Sequence, residues 1–451
     1  MEVPETEKNL GISVYATKTS GIGGAIRRRP GDFVVEEVLT NGAKASVAPV
    51  GYPSQLGRYL VCVLVKEDWD TLLAVRAIAQ KLGISQERIG IAGLKDTKAL
   101  TAQHISLYGV RPKEISRLSF KNITVHPLCY ADEKISTKLL FGNQFTTIIR
   151  SISLEQSDVK KLIDTTQSQL LALGGAPNFF GHQRFGTVRP ITHSVGRAIV
   201  EEDLERATSI FLASSSKHEH PAAREARERL TVSKDFHEAL NSFPAHLKYE
   251  RLVLRRLVLY EKDFLGAVRE LPLRLRKLFV QAFQSYLFNR FLSERISQGI
   301  QLKEARIGDF VVPLDENGLP QKNDDTVTQN LLSKINKTIE ERKACVAIPL
   351  VGFKQPLSKG LQGEIEQKIL EEENVKPKDF QISTMHEVSA PGGLRAVLTP
   401  IIDFAADTPM NDSENPLKNQ VRLRFALRKG SYATMPLREF MKPDNVIGAG
   451  F

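Results

Sequence analysis

The chain has 451 residues, and its 62 Lys and Arg outnumber its 52 Asp and Glu by ten, for a net charge of +10. With 41% hydrophobic and 25% charged residues it is neither disordered nor fibrous. Three cysteines without a CxxC pair exclude a disulfide framework and a cysteine zinc site. The acidic N-terminal segment and the absence of an apolar run of about 18 residues predict a cytoplasmic protein with no signal peptide or membrane span.

The first 190 residues have a mixed α/β pattern. Residues 58–67 are β-branched and apolar, which predicts a buried strand. Asp70 is a plausible N-cap for the helix that follows, and Gly83 is a plausible C-terminal stop. Residues 144–152 are again strand-like, and 157–173 have the pattern of a second helix. A length of about 150 residues per domain predicts two or three domains in all.

The rest of the chain begins with long helical stretches between residues 195 and 300. Residues 271–298 carry a broad apolar face, which indicates core packing. Residues 361–374 predict an exposed acidic helix. In the strand predicted over 420–428, apolar residues alternate strictly with polar ones.

The segment AGLKDTKALTAQHISL (92–107) is the most informative for chemistry. Lys95 and Asp96 follow the flexible Gly93 at the end of a short apolar run. A carboxylate in such a loop is either a helix cap or solvated ion pair, or it is held ionised as a nucleophile or base. Spacing alone does not separate these interpretations.

The segment NFFGHQRFG (178–186) interleaves aromatic residues with polar ones. Aromatic faces stack on unstacked bases, amides bind base edges and arginine binds phosphate. The alternative is a glycine-rich turn whose aromatic side chains fill a core. The candidate nucleotide contacts are Asn178, Phe180, Gln183 and Arg184.

Two basic segments are candidates for binding an RNA backbone. Arg27, Arg28 and Arg29 precede a turn; they are either a solvated charge run or a site for phosphate or a carboxylate. In 421–428 the alternation puts three arginines on one strand face, where they form a basic stripe. These three are Arg422, Arg424 and Arg428.

Two weaker motifs do not support a cofactor. Gly21-Ile22-Gly23-Gly24 suggests a dinucleotide loop but lacks a preceding strand and the last glycine of that fingerprint. His218-Glu219-His220 has no third ligand at helpful spacing, so we expect no metal there.

Taken together, these segments resemble the TruD family of tRNA pseudouridine synthases, and most closely its archaeal members. The family patterns occur in the family's order and extend from residue 27 to residue 439. The matching segments are PGDFVVEE (30–37), GLKDTKALTAQ (93–103), NFFGHQRFG (178–186), QSYLFN (284–289) and GSYATMPLRE (430–439).

The resemblance implies that the chain isomerises uridine to pseudouridine in RNA, at position 13 of tRNA, as a monomer without cofactor or metal. The alternative is an RNA-binding or RNA-chaperone protein without catalysis. The implied fold is α+β: a pseudouridine synthase core with a mixed, largely antiparallel sheet, interrupted by an inserted α/β domain. We expect the core in 1–189 and 395–451 and the inserted domain in 190–394.

The resemblance also assigns roles within the site. It implies that Asp96 is catalytic, either attacking the nucleoside or supporting a glycal-type intermediate, with Lys95 and Arg27 in support. Arg27 stands where the family commonly has lysine, and Tyr432 where phenylalanine is common. The residues implied to line the uridine pocket are Phe33, Asn178 and Tyr432.

Overall fold

The structure, a computed structural model, describes residues 2–49, 57–321 and 325–451. No helix in these ranges is long and apolar enough to cross a bilayer. The strands are β1 (Phe33–Leu39), β2 (Tyr59–Glu67), β3 (Ile89–Ile91), β4 (Leu100–Tyr108), β5 (Ile123–Ala131), β6 (Leu140–Ile152), β7 (Ala176–Pro177), β8 (Phe310–Pro313), β9 (Ala344–Leu350), β10 (Gly393–Ala396), β11 (Leu398–Thr399), β12 (Ile402–Ala406), β13 (Met410–Asn411) and β14 (Asn419–Arg428).

The helices divide into a few that flank the strands and a large group in the middle of the chain. They are α1 (Glu5–Lys8), α2 (Thr71–Leu82), α3 (Pro112–Ile115), α4 (Gln156–Leu173), α5 (Thr192–Val200), α6 (Leu204–Ala213), α7 (Pro221–Ser233), α8 (Phe236–Ser242), α9 (Lys248–Leu259), α10 (Phe264–Arg269), α11 (Leu273–Ser297), α12 (Leu332–Glu340), α13 (Gly360–Glu372) and α14 (Thr434–Met441).

A large sheet has the strand order β12-β14-β6-β1-β4-β2-β5, with β13 paired to β14 and β3 to β4. Only the β1–β4 pair is parallel among the strand pairings of this sheet in the described ranges. The predicted mixed, largely antiparallel sheet is therefore confirmed. Because β1 and β6 are central, their side chains form the floor on which the loops of the site sit.

The predicted N-cap and C-terminal stop place helix α2 correctly. The Asp70 carboxylate accepts hydrogen bonds from the backbone N–H groups of Leu72 and Leu73, which have no partner within the helix. The helix ends at Gly83, whose φ of 65° is the left-handed conformation that glycine adopts without a Cβ clash. The cap and the stop predicted from sequence are both confirmed.

The alternation predicted for 420–428 is also confirmed in β14. Val421 and Leu423 are buried, whereas Arg422 and Arg424 are exposed. A strand with one face on the core and one in water produces this pattern because successive side chains point to opposite faces.

A second region is built around α11, a helix of 25 residues. Its apolar face is buried among α5, α13 and the small sheet β10-β9-β8. The large sheet takes its strands from residues 33–152 and 402–428, and the small sheet from 310–396. The boundaries predicted at 189/190 and 394/395 stay a prediction; β10 runs across the second.

The prediction that 361–374 is an exposed helix is wrong for one face of α13. Ile365 and Ile369 pack in the core, and Glu366 is fully buried beside them. The Glu366 carboxylate accepts hydrogen bonds from the backbone N–H and the hydroxyl of Ser358. Burial nevertheless raises the pKa of Glu366 to about 7. The prediction rested on the acidic composition of the segment and overlooked its apolar residues at helical spacing.

Candidate active site

A pocket of about 160 Å³ opens above the central strands of the large sheet. At about 30 Å³ per water molecule, this volume is enough for several waters or one planar base. Its walls come from segments that are far apart in the sequence. They are Arg27, Val35, the loop 94–96, Asn143 and Phe145 of β6, Gln183, and residues 431–434.

The loop between β3 and β4 carries Lys95 and Asp96, and the two side chains lie in different environments. The Lys95 ammonium is 2% exposed and lies 2.6 Å from the Glu37 carboxylate, which is 0% exposed. Burial by itself would raise the pKa of Glu37, but the hydrogen bond from His104 and the charge of Lys95 together lower it. Lys95 therefore anchors the loop and leaves the pocket to Asp96.

The backbone of the same loop is held by three further side chains. Thr71 accepts a hydrogen bond from the Lys95 N–H (3.1 Å), and Gln103 donates to the Gly93 carbonyl (3.2 Å). The Lys66 ammonium donates to the Asp96 carbonyl at 2.8 Å, and burial lowers the pKa of Lys66 to about 8. Sequence reasoning missed Lys66, although a lysine in an otherwise apolar strand was a signal.

The Asp96 carboxylate faces the pocket with 26% of its side chain exposed. Its Oδ1 accepts a hydrogen bond from Gln183 Nε2 at 3.0 Å, and Arg27 Nη2 lies 3.8 Å from the same oxygen. Oδ2 has no hydrogen-bond partner among the residues that the structure describes. One oxygen is therefore positioned by the protein, and the other is free to meet a ligand.

Arg27 reaches Asp96 from a strained backbone. Its φ is 57°, in the left-handed region that costs a non-glycine residue about 1 kcal/mol or more. Its guanidinium lies over the Phe33 ring at 4.0 Å and donates to the Gly450 carbonyl at 3.0 Å. Burial lowers the pKa of Arg27, and the Asp96 charge counteracts this. Phe33 is fully buried behind the arginine and does not line the pocket.

Three polar atoms at the pocket wall are buried without a hydrogen-bond partner in the described part of the chain. They are Asn143 Oδ1, Thr434 Oγ1 and Arg27 Nε. An unsatisfied buried polar group costs about 1–3 kcal/mol, so such groups are uncommon in folded proteins. Their presence around one pocket indicates a polar ligand. Asn143 was missed from the sequence because it lies in a strand without a motif of its own.

The predicted nucleotide contacts in 178–186 point in several directions. Phe180 packs in the core against Phe288, and Tyr432 lies against its other side at 6.1 Å between ring centres. Asn178 is buried away from the pocket, where it donates to the Ala396 carbonyl and accepts from Arg395. The Phe180 ring thus fills a core and Gln183 reaches Asp96, while contact of this segment with a nucleotide stays a prediction.

Gly181 allows the close packing of this segment on the residues after β14. A Cβ at position 181 would lie 2.8 Å from Thr434 Oγ1 and 3.1 Å from Tyr432 Cδ1. The first distance is shorter than Cβ atoms adopt, and the second would require the Tyr432 ring to shift by a few tenths of an ångström. The glycine therefore sets how near Tyr432 and Gln183 come to each other across the pocket.

A buried charge network supports the segment from behind. His182 Nε2 lies 3.1 Å from Glu7, and the Arg438 guanidinium donates to the same carboxylate at 2.8 Å. Burial would raise the pKa of Glu7, but the Arg438 charge and the hydrogen bond from His182 together lower it. The N-terminal segment thereby ties the residue preceding Gln183 to α14.

The predicted backbone-binding arginines occupy two exposed areas and one interior position. Arg28 and Arg29 are exposed beside the C-terminal residues, and Arg29 pairs with Glu414. Arg422 and Arg424 share Asp407, at 3.4 and 2.7 Å. The third arginine of that strand, Arg428, is half-buried against Gly318, and burial lowers its pKa.

Neither weak motif forms a cofactor site. Within the ranges that the structure describes, no group of three or more His, Cys, Asp or Glu side chains could hold a metal ion. Glu219 instead pairs with Arg227, and His220 caps α7. The four residues from Gly21 lead to a short 3-10 turn and a strand, so the helix that a dinucleotide loop requires does not follow them.

Comparison with known proteins gives a consistent result. The family model described as tRNA pseudouridine synthase D (TruD) matches residues 9–440. A protein of Methanosarcina barkeri named "Probable tRNA pseudouridine synthase D" is 38% identical over 98% of this chain and 99% of its own length. One of Archaeoglobus fulgidus is 36% identical over 97% and 99%. A crystal structure of the Methanosarcina mazei protein superposes with a TM-score of 0.83 at 37% identity, covering 98% of this chain and 99% of that one.

Proposed function

The chain belongs to the TruD family of tRNA pseudouridine synthases, which isomerise uridine in tRNA, and we propose that it modifies position 13 with Asp96 as its catalytic residue. One observation supports the choice of Asp96 above all. Its carboxylate lies in the pocket beside Arg27 and Gln183, while four other side chains hold its loop. We further propose that the protein acts as a monomer in the cytoplasm.

The reaction exchanges one bond for another without an external reactant. The bond between C1′ of the ribose and N1 of uracil breaks, the base turns, and C1′ bonds to C5. The proton on C5 is then lost and N1 gains one, so atoms balance. Asp96 either attacks C1′ or removes the proton on C2′ to form a glycal. Both routes require an ionised carboxylate, and the Arg27 guanidinium lies 3.8 Å from Asp96 Oδ1.

The uridine has to leave its stack to reach Asp96, which costs a few kcal/mol. The Tyr432 ring at the pocket wall offers a stacking surface that returns about 1–3 kcal/mol. Asn143 Oδ1 is an acceptor without a partner, and the uracil N3–H is a donor that matches it. We therefore propose that Asn143, and not Asn178, contacts the uracil edge, and that Phe33 supports Arg27 from behind.

The proposal is tested by incubating the purified protein with unmodified tRNA and mapping pseudouridine by position. The variants Asp96→Asn and Asp96→Ala are expected to lose at least about a thousandfold in rate, because the reacting group is removed. Binding of tRNA should persist. The matched control is Asp164→Asn, which changes an exposed carboxylate on α4 and should retain full activity.

Two results would refute the proposal. Modification by Asp96→Ala at a near wild-type rate would exclude Asp96 as the catalytic residue. Wild-type protein that binds tRNA and leaves no pseudouridine would favour the alternative, an RNA-binding protein without catalysis.

A further inference from the structure

Two arginines lie near one aromatic ring, next to the pocket. The Arg395 guanidinium lies 4.0 Å from the centre of the Phe180 ring, and the Arg184 guanidinium lies 5.6 Å from it. Tyr432, which lines the pocket, packs against the same ring. Arg395 belongs to β10, whereas Arg184 follows Gln183 in the chain. The two cations therefore lie where the small sheet meets the catalytic region.

Each guanidinium is oriented by neutral partners and keeps one nitrogen free. Arg395 donates from Nε to the Asn178 carbonyl (3.0 Å) and from Nη2 to Asn178 Oδ1 (2.7 Å). Arg184 donates from Nε to Ser285 (3.1 Å) and from Nη2 to Gln281 (3.4 Å). Nη1 of both arginines has no hydrogen-bond partner among the described residues.

Neither arginine has a carboxylate partner within ion-pair distance in the described ranges. By contrast, each buried arginine in the described ranges lies within ion-pair distance of at least one carboxylate. These pairs are Arg150 with Asp32 and Asp412, Arg227 with Glu219 and Glu250, Arg295 with Asp309, and Arg438 with Glu7 and Glu439. A desolvated arginine without an ion-pair partner is costly.

The electrostatics agree with an unfilled anion site. Burial lowers the pKa of Arg395 to about 10, and the neighbouring Arg184 charge lowers it further while Tyr432 counteracts this. Burial also lowers the pKa of Arg184, and again only Tyr432 opposes it. An anion placed between the two cations would remove both penalties.

We propose that Arg184 and Arg395 together bind one backbone phosphate of the RNA, in the linkage next to the uridine that enters the pocket. This inference rests on the proposed function. Gln183 donates a hydrogen bond to Asp96, and the next residue, Arg184, donates one to Ser285 of α11. These two residues therefore extend from the position of the reacting sugar toward the position of a flanking phosphate. Two free Nη1 groups match two phosphate oxygens, and arginine suits this geometry better than lysine.

The test combines protein variants with tRNAs in which one of the two linkages flanking uridine 13 is a neutral methylphosphonate. The double variant Arg184→Gln/Arg395→Gln should bind all-phosphate tRNA about tenfold more weakly, through the loss of charged hydrogen bonds. Its slope of log K against log salt should fall by about one. Wild-type protein should lose the same affinity on one neutral linkage, and the double variant should lose nothing more there. The control Arg255→Gln, an exposed residue on α9, should behave as wild type.

The proposal is overturned if wild-type protein binds both neutral-linkage tRNAs as tightly as the all-phosphate tRNA, or if the double variant is penalised as much as wild type. Should the Gln variants fail to fold, Arg184→Lys and Arg395→Lys replace them, and the wild-type linkage series still decides. Binding is measured without reference to product. A wild-type protein that forms no pseudouridine would therefore refute the proposed function alone.

Discussion

The loop that carries Asp96 and the wall of the pocket differ in whether their buried polar groups have partners. On the loop, the Lys95 ammonium and the Asp96 carbonyl each have a fixed partner at 2.6 or 2.8 Å. On the wall, Asn143 Oδ1 and Thr434 Oγ1 are buried with no partner in the described ranges.

This difference separates groups that hold the site from groups that receive a ligand. A satisfied buried group stabilises one geometry, and changing it should cost folding free energy. An unsatisfied group contributes no hydrogen bond to the fold, so changing it should affect binding and catalysis. The contrast can be tested at individual residues.

The largest effect is expected for Glu37→Gln, which leaves the Lys95 ammonium buried without its counter-charge. Removing one partner of a buried ion pair costs about 3–5 kcal/mol, so the free energy of unfolding in urea should fall by that amount. The double variant Glu37→Gln/Lys95→Met should recover most of the loss. A stability equal to wild type in Glu37→Gln would show that the pair does not hold the loop.

The next effect contrasts two asparagines. Asn143→Ala should lower kcat/KM about 10- to 100-fold while leaving the free energy of unfolding within about 0.5 kcal/mol, because no internal hydrogen bond is lost. Asn178→Ala should instead lower stability by about 1–2 kcal/mol, since its amide bonds Ala396 and Arg395. Kinetics and urea unfolding of both variants would check this. The reverse pattern would assign uracil contact to Asn178.

A third effect depends on pH. The folded-state pKa of Lys66, about 8, lies below its usual 10.5, so between these values the unfolded chain binds more protons than the folded one. Stability should therefore rise with pH in this window, by about 1–3 kcal/mol relative to Lys66→Met. Urea unfolding of both proteins across the window measures the difference. Parallel pH profiles would show that burial does not lower the pKa of Lys66 in the folded state.

The smallest effect is expected at the exposed stripe. Arg424→Glu should weaken tRNA binding a few-fold and reduce the salt slope by about one, without changing which uridine is modified. The effect is limited because Arg424 already shares Asp407 with Arg422. Binding titrations at several salt concentrations, together with pseudouridine mapping, would measure it. An unchanged slope would place the RNA backbone elsewhere.

The sequence by itself determined the features that depend on near neighbours. Asp70 and Gly83 bound α2 because a cap and a stop act within one turn of the helix. The strand at 419–428 alternates because one face is buried. The motif around Asp96 was recognisable because the residues that shape its loop, Gly93 and Gln103, lie within a few positions of it.

Only the tertiary structure decided which distant groups meet and which polar atoms remain unpaired. Lys66 of β2 and Thr71 at the start of α2 form hydrogen bonds with the loop that carries Asp96, and neither belongs to a motif. Asn143 lines the pocket and Asn178 does not, because β6 forms part of the pocket wall whereas the Asn178 amide is bonded to Ala396 and Arg395. Arg395 and Arg184 come together although nearly half of the chain separates them in sequence. Such contacts depend on packing between segments that are remote in the sequence. Local sequence patterns therefore do not predict them.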